Sequence, residues 1–404
     1  MKRNKLTIKL ILSLFAVIIL SSCGEKTTDE EASEVSSIQI WTNMETELEL
    51  LKEYGAKWEE ETGNKVEILD IATDIQKFAQ ASKSKNGPDG IFGLPNDQLA
   101  NYIEAGLVEE VPESVFENSE YVESSVQSIY FDGKRYAVPI AVETNALFYN
   151  TEKINSAPKT FDELVNLAET NGGFQFEATS IYYELGFLRA FGGYMFSYND
   201  GEYDVNDIGL GTRESVEAYD YINMLANKYG FFSSDITNDV ARGNFQSGET
   251  AFYIGGPWDI SGFESAGVPF SVAAMPTLNN QSFITPVGTQ VGFVSSESLN
   301  KQVVWEFYSY LLENMSVDLY NIGGRIPAKI TAQNEIQKNP YTDAFLDQIR
   351  VGEPLPTVSE LGQVWTPFTD NIKLMIQGTT TPDEAAKIIE EQVVEGINMM
   401  NEGR

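Results

Sequence analysis

The sequence predicts an α/β protein with two lobes, and two observations support this. Segments 38–41 and 65–68 alternate apolar and polar side chains, as exposed-edge or half-buried strands do. Between them, apolar residues of segment 46–61 recur every three or four positions, which predicts an amphipathic helix that ends at Gly63. A strand–helix–strand unit of this length is right-handed and parallel. The 404 residues are 42% hydrophobic, ample for real cores, and a chain of this length normally forms two domains or one large one.

The same alternation of elements continues along the chain. We expect strands at 89–92, 137–140 and 146–149, and a helix at 97–104 that Gly106 closes. Sheets of this kind bind ligands at the carboxyl ends of their strands, and clefts form between lobes. The pattern therefore indicates a ligand held in a cleft.

Two capping boxes mark further helix starts. Segment 160–163 reads Thr-Phe-Asp-Glu, and segment 381–384 reads Thr-Pro-Asp-Glu with proline at the favoured first helical position. The second helix should run to about Asn401. Segment 199–202 reads Asn-Asp-Gly-Glu and predicts a hairpin turn, since it lacks the spacing of a calcium loop.

The composition excludes several classes of function. The formal net charge is −33, which repels phosphate backbones and excludes nucleic acid as a partner. The chain has no histidine, so Ser-His-Asp and Cys-His catalysis are excluded and the commonest zinc ligand is missing. We predict no cofactor and no metal, while carboxylate chemistry of the glycosidase type remains open.

The N-terminus predicts a lipid anchor. A basic start and an apolar stretch lead into Leu-Ser-Ser-Cys-Gly at 20–24, which resembles a lipobox. Residues 1–22 are then a signal peptide, Cys23 is the lipidated residue, and 23–37 is a flexible tether. The alternative is an uncleaved membrane helix, but the apolar stretch is short for a span. Cys23 is the only cysteine, so no disulfide is expected.

A series of motifs in one order resembles the family 1 extracellular solute-binding proteins, in particular those of the maltodextrin-binding type. The resemblance runs from about residue 38 to 404. The motifs are Ile-Gln-Ile-Trp at 38–41, Trp-Glu-Glu-Glu-Thr-Gly-Asn-Lys-Val at 58–66, Gly-Pro-Asp-Gly-Ile-Phe at 87–92, Tyr-Ala-Val-Pro-Ile-Ala-Val-Glu at 136–143, Ala-Phe-Gly-Gly-Tyr at 190–194, Asn-Phe-Gln-Ser-Gly-Glu-Thr-Ala at 244–251 and Ile-Gly-Gly-Pro-Trp at 254–258.

The resemblance implies a type II periplasmic-binding-protein-like fold with a hinged cleft. The N-terminal lobe would comprise 38–142 and 289–340, and the C-terminal lobe 143–288 and 341–404. The protein would be a monomeric, non-enzymatic lipoprotein on the outer face of the cell membrane. It would bind an oligosaccharide, of the α-1,4-glucan type, and deliver it to the permease subunits of an ABC importer.

The resemblance also implies three aromatic residues that stack on the apolar face of a sugar ring. These are Tyr182, Trp258 and Trp365. The alternative for each is an ordinary core aromatic. At the tyrosine position the neighbouring Tyr183 is equally compatible with the motif.

Four polar residues are expected to bind the sugar hydroxyls by the same resemblance: Asn43, Asp97, Gln98 and Glu143. Gln98 occupies the place of an arginine in the family pattern. Asp97 could instead serve only as a helix N-cap, and Glu143 could be a solvated carboxylate at the hinge.

The chain departs from the family pattern at two further places. Gly93-Leu94, with one extra residue, stands where the family has a tryptophan, and Glu45-Thr46 stands where it has a lysine. Maltose itself is then less expected than a longer or cyclic α-glucan or a different oligosaccharide. A secreted carboxylate-dependent glycosidase, and a surface adhesin or sensor with the same fold, remain alternatives.

Overall fold

The fold was analysed in a computed structural model of the chain. It describes residues 35–71, 74–84, 87–199, 202–336 and 340–402. The predicted signal peptide and Cys23, and the tip of the predicted 199–202 turn, lie outside the described residues. Within them, no helix combines the length and apolar character needed to cross a bilayer.

The described part of the chain contains fifteen strands. They are β1 (Ser37–Thr42), β2 (Lys65–Asp70), β3 (Gly90–Pro95), β4 (Tyr130–Phe131), β5 (Lys134–Arg135), β6 (Val138–Glu143), β7 (Ala146–Asn150), β8 (Phe174–Gln175), β9 (Phe196–Asn199), β10 (Glu202–Ile208), β11 (Phe252–Gly255), β12 (Phe270–Ala273), β13 (Pro286–Val294), β14 (Ile326–Pro327) and β15 (Glu353–Pro354).

The same residues form fifteen α-helices. They are α1 (Leu48–Thr62), α2 (Ile75–Ala81), α3 (Asn96–Glu104), α4 (Glu123–Gln127), α5 (Phe161–Asn171), α6 (Ile181–Phe191), α7 (Arg213–Asn227), α8 (Asn238–Gln246), α9 (Ile260–Ser265), α10 (Lys301–Asn314), α11 (Ser316–Gly323), α12 (Ile330–Glu335), α13 (Thr342–Val351), α14 (Trp365–Ile376) and α15 (Pro382–Glu402).

The first sheet has the strand order β14-β6-β13-β3-β1-β2, and β15 pairs with β13. β1 lies parallel to β2 and to β3, so the predicted parallel strand–helix–strand unit is confirmed. β13 runs antiparallel to its neighbours β3 and β6. Every residue of β13 is buried, as expected for a central strand covered on both faces.

The second sheet has the order β12-β7-β11-β8. Aromatic residues dominate its core: Phe148 of β7 lies within 5.6–6.3 Å, ring centre to ring centre, of the rings of Phe245, Tyr253, Phe263, Phe270 and Phe345. Helices α14 and α15, at the end of the chain, pack on α7 of this part of the molecule. The two sheets thus form the two lobes of the predicted fold.

The helix ends have capping interactions of the kind that the sequence predicts. The chain leaves α1 through Gly63, whose φ of 78° is in the left-handed region that glycine tolerates. The capping box at Thr381 forms in both directions, since the Glu384 N–H donates to Thr381 Oγ1 and the Thr381 N–H donates to the Glu384 carboxylate. At Thr160 only one direction forms, because the Glu163 carboxylate accepts from the N–H of Lys159 instead.

The chain passes between the sheets beside two threonines. β6 ends at Glu143 in the first sheet, and β7 begins at Ala146 in the second. Thr144 Oγ1, between them, lies 2.7 Å from Thr285 Oγ1 and donates to the carbonyl of Pro286, 2.8 Å away. The two crossing segments are therefore joined by side-chain hydrogen bonds in addition to strand pairing. The residue ranges predicted for the lobes stay a prediction.

Candidate functional site

A cavity of about 420 Å³ is lined by β3, β6 and β13 of the first sheet, by helices α3, α6 and α14, and by the turn that follows β11 of the second sheet. Five of the seven predicted binding residues line it, although they come from five separate elements. The lining residues are Pro95, Asn96, Asp97, Glu143, Tyr182, Trp258, Gly288, Thr289, Arg325, Leu355 and Trp365.

The five tryptophans fall into two groups, three buried in the core and two at the cavity. Of the five in the chain, Trp41, Trp58 and Trp305 are no more than 4% exposed and belong to the core. The other two, Trp258 and Trp365, are half-buried and both line the cavity. Trp365 also packs against the core, but both indoles keep exposed surface in the cavity, where a ligand can reach them.

The structure distinguishes Tyr182 from Tyr183. Tyr182 lines the cavity and is half-buried. Tyr183 is buried behind it, with the two rings edge to face at 5.4 Å. Because consecutive residues of α6 point about 100° apart, only one of the pair can reach the cavity.

Asp97 is the second residue of α3, and its carboxyl group faces the cavity from the helix start. Burial raises its pKa to about 6, opposed by its hydrogen bonds to backbone N–H groups and reinforced by the charge of Glu143. The N-cap alternative is wrong, since the N-cap residue of α3 is Pro95.

Glu143 ends β6 and has a partner on each carboxylate oxygen. Its Oε1 accepts from Gln290 Nε2 at 3.0 Å, and its Oε2 accepts from Arg325 Nη1 at 3.0 Å. Arg325 Nε also donates to Glu47 Oε1 at 2.8 Å. Glu143 is therefore part of an ordered network and is not a freely solvated hinge carboxylate.

Arg325 was not identified from the sequence. It precedes β14, and the antiparallel pairing of Ile326 with Val142 sets it opposite Glu143 across the sheet. The contact joins residues 182 positions apart. A weak signal existed, because Arg325 follows Gly323-Gly324, a pair that permits close approach of the backbone.

Trp258 is held by its own turn. A Cβ atom on Gly256 would lie 2.2 Å from the indole ring, so the ring lies directly over this glycine. Asp259 Oδ2 accepts from the Gly256 N–H at 3.2 Å and from the Tyr253 hydroxyl at 3.0 Å. Asp259 is buried, and burial raises its pKa to about 6. The hydrogen-bonded turn at Gly256–Asp259 thus holds the indole ring of Trp258 at the cavity.

Gln98 does not join the other predicted residues. It lines a separate cavity of about 1070 Å³, together with Asn101, Tyr102 and Ala105 of the same helix face. Gln98 and Asp97 are neighbours in α3, and their side chains leave the helix about 100° apart. Only Asp97 can face the first cavity.

Asn43 is also absent from the residues that line the cavity. The chain turns directly after β1, where the N–H of Met44 donates to Thr42 Oγ1 at 3.0 Å. Met44 is fully buried by this turn, and Asn43 is left half-buried beside it.

The extra residue at Gly93 is a β-bulge. Leu94 pairs with Val291 and Phe92 with Gly292, so Gly93 has no partner and adopts a φ of 98°. A Cβ atom here would lie 2.3 Å from Met44 Cγ. Met44 therefore covers the position where the family pattern has a tryptophan.

The cavity combines three aromatic residues, two carboxylates and one guanidinium group. Aromatic rings pack against the C–H face of a pyranose, and charged groups form strong hydrogen bonds with its hydroxyls. Among the described residues, no group of three or more acidic side chains is arranged to hold a metal ion. The lining therefore offers both flat apolar surfaces and charged hydrogen-bonding groups.

The two-lobe fold and the cavity between its lobes define the class of hinged solute receptors. The chain belongs to the bacterial extracellular solute-binding proteins, whose family pattern it matches over residues 53–344. The predicted family and fold are thereby confirmed.

Curated relatives cover almost the whole chain. A galactooligosaccharide-binding protein of Bacillus subtilis is 28% identical, over 97% of this chain and 98% of its own length. A maltooligosaccharide ABC transporter solute-binding lipoprotein of Streptococcus pneumoniae is 28% identical, over 94% and 95% respectively. Both relatives are named for the oligosaccharides they bind, and the second is named as a component of an ABC transporter.

A solved structure shows the same fold. The maltose-maltodextrin binding protein of Alicyclobacillus acidocaldarius superposes with a TM-score of 0.81 at 28% identity. The match covers 88% of this chain and 99% of that protein.

Proposed function

We propose that the protein is the substrate receptor of an ABC importer and that it binds maltodextrin-type oligosaccharides in the cavity between its lobes. The observation that carries the proposal is the convergence of Tyr182, Trp258 and Trp365 with Asp97 and Glu143 in one cavity. Three rings from separate elements offer a series of stacking surfaces, which suits a chain of sugar units better than a single one.

The proposal extends to attachment at the membrane. Cys23 would carry lipid after removal of residues 1–22, and the tether would leave the monomeric receptor free to meet its permease on the outer face of the cell membrane. Its support is the position of this sole cysteine behind a basic and apolar leader.

A galactooligosaccharide is the second candidate ligand, because a relative of that name matches 97% of this chain. A thermal-shift experiment on the mature protein separates the candidates, since a ligand that binds the folded state raises Tm. The panel comprises maltose, maltotriose, maltotetraose, a cyclodextrin and a galactooligosaccharide. We expect the largest rise with a linear α-glucan. A rise with the galactooligosaccharide alone would contradict the maltodextrin assignment, and no rise with any sugar would contradict the proposed function.

Two further measurements test the remaining parts. Mass spectrometry of membrane-extracted protein should find a diacylglyceryl group at Cys23, and Cys23→Ser should release the protein from the cells. Incubation with maltotetraose should produce no new reducing ends. Release of reducing sugar would favour the glycosidase alternative.

A further inference from the structure

We propose that Arg325 is a positioning residue, which holds the carboxylate of Glu143 in the orientation that binds a sugar hydroxyl. The proposal rests on the function proposed above and assigns to that site a residue that the sequence motifs did not reveal. Three observations support it: the strand register, a fixed hydrogen-bond donor on each carboxylate oxygen of Glu143, and the second ion pair of the guanidinium group, with Glu47.

The register of the first sheet places the two side chains opposite each other. β14 pairs with β6 so that Ile326 lies across from Val142. Continued by one position, this antiparallel register sets Arg325, directly before β14, opposite Glu143, the last residue of β6. Cross-strand neighbours of opposite charge attract one another, and here the Nη1–Oε2 distance is 3.0 Å. The sheet therefore determines this ion pair, which does not depend on a mobile surface side chain.

Glu143 is held from both sides. Gln290 donates to Oε1 and Arg325 donates to Oε2, each at 3.0 Å. A carboxylate can accept about four hydrogen bonds, so acceptor capacity remains for a ligand. Gly288 pairs with Glu143 across β13, so the Glu143 side chain also lies beside the central strand.

Arg325 is itself fixed by Glu47. The Glu47 side chain is 1% exposed, and its Oε1 lies 2.8 Å from Arg325 Nε. A Cβ atom on Gly323 would lie 1.9 Å from this oxygen, so the turn before Arg325 admits Glu47 only because residue 323 is glycine. One planar guanidinium thus bridges two carboxylates, which a lysine ammonium cannot reproduce with the same geometry.

The charge balance of the cavity also requires Arg325. It is the only cationic residue among the described residues that line the cavity. Asp97 and Glu143 face the same space, and Glu47 lies buried behind. Without Arg325, Glu143 would be repelled by neighbouring carboxylates and lose the donor that orients it.

A double-mutant cycle tests whether Arg325 acts through Glu143. Arg325→Gln, Glu143→Gln and the double variant are compared with wild type by calorimetric titration of the sugar from the above panel that binds most tightly. We expect each single variant to weaken binding about tenfold or more, because hydrogen bonds to charged groups contribute at that level. The Arg325 effect should largely disappear in the Glu143→Gln background.

Stability is followed separately by Tm, so that a folding defect is not mistaken for a positioning effect. Arg325→Lys retains the charge and should recover part of the affinity. Arg213→Gln is the matched control, because Arg213 is an exposed residue that also pairs with a glutamate, and it should leave affinity unchanged. If Arg325→Gln does not fold, Arg325→Lys paired with Glu143→Gln completes the cycle.

The outcomes are distinguishable. Unchanged affinity in a folded Arg325 variant, or fully additive effects in the cycle, would overturn the positioning role while leaving the proposed function intact. Failure of wild type to bind any sugar of the panel would instead overturn the proposed function, and the role of Arg325 with it.

Discussion

The side-chain oxygen of Asn96 accepts a hydrogen bond of 2.9 Å from the backbone N–H of Thr289, 193 positions away in the chain. The amide nitrogen of Asn96 donates to the carbonyl of Leu355 and to Thr357 Oγ1, both at 3.0 Å. One buried residue at the start of α3 thereby joins the central strand β13 to the segment after β15, directly beside the cavity.

Asn96→Ala should destabilise the fold. The substitution leaves the Thr289 N–H and the Leu355 carbonyl without their partner, which costs about 2 kcal/mol or more in unfolding free energy. Urea denaturation measures the loss. Asn101→Ala, at an exposed position of the same helix, is the control and should change stability by less than about 0.5 kcal/mol. Equal losses in the two variants would contradict the role of Asn96.

Gly256→Ala should displace the ring of Trp258. The new Cβ would lie 2.2 Å from the indole, so either the ring or the turn must move. We expect a loss of sugar affinity of about tenfold, comparable to the loss of one aromatic contact. Gly262→Ala is the matched control, because nothing lies within 4 Å of its Cβ position. Fluorescence titration of both variants decides the point, and unchanged affinity in Gly256→Ala would show that the ring position is not critical.

Sugar affinity should depend on pH through Asp97. Its pKa is raised to about 6, so the group is largely protonated at pH 5 and largely ionised at pH 7. The ionised form is the stronger acceptor for hydroxyls, and affinity should therefore rise between these values. Asp259 also has a pKa of about 6, so the Asp97→Asn variant is needed to separate the two. A pH dependence of affinity that persists in Asp97→Asn would show that a different titrating group causes it.

The same raised pKa has the opposite effect on the stability of the free protein. Because Asp97 holds its proton more tightly when folded, its contribution is complete below pH 3.8 and is lost as the pH rises through about 6. Binding and stability should therefore change in opposite directions over this interval.

Glu184→Gln should stabilise the protein at neutral and higher pH. Glu184 is 1% exposed, its Oε1 has no hydrogen-bond partner, and burial raises its pKa well above the usual value. The stability it contributes is present below pH 4.5 and is lost as the pH rises through its folded pKa. Thermal denaturation at pH 4 and pH 8 should therefore show a gain for the variant only at the higher pH. Glu169→Gln, at an exposed position, is the control, and a gain of the same size there would refute the explanation.

The sequence predicted the helices and strands well, because the interactions that begin and end them involve residues close together in the chain. Gly63 ends α1 in the left-handed conformation, and Thr381 caps α15 within one turn of itself. Five of the seven predicted binding residues face one cavity, because each follows from a motif attached to a strand or helix end.

The features that the sequence did not predict depend on contacts between residues far apart in the chain. Arg325 reaches Glu143 through the pairing of β14 with β6, and nothing near residue 325 encodes that register. To predict where the Gln98 side chain points, one needs the rotation of α3 about its axis. To predict the bulge at Gly93, one needs the pairing of β3 with β13. Motif order places a residue near a site, but sheet register and helix rotation decide whether its side chain enters it.

Calorimetric titration of the mature protein with maltotetraose, repeated with Trp258→Ala and Trp365→Ala, tests the central claim most directly. Both tryptophans line the cavity, and a stacked ring contributes about 1 kcal/mol beyond its buried area. We predict saturable one-to-one binding by wild type, and a loss of affinity of about tenfold or more in each variant, with Tm nearly unchanged. Binding that survives both substitutions, or a flat titration of wild type, would contradict the account.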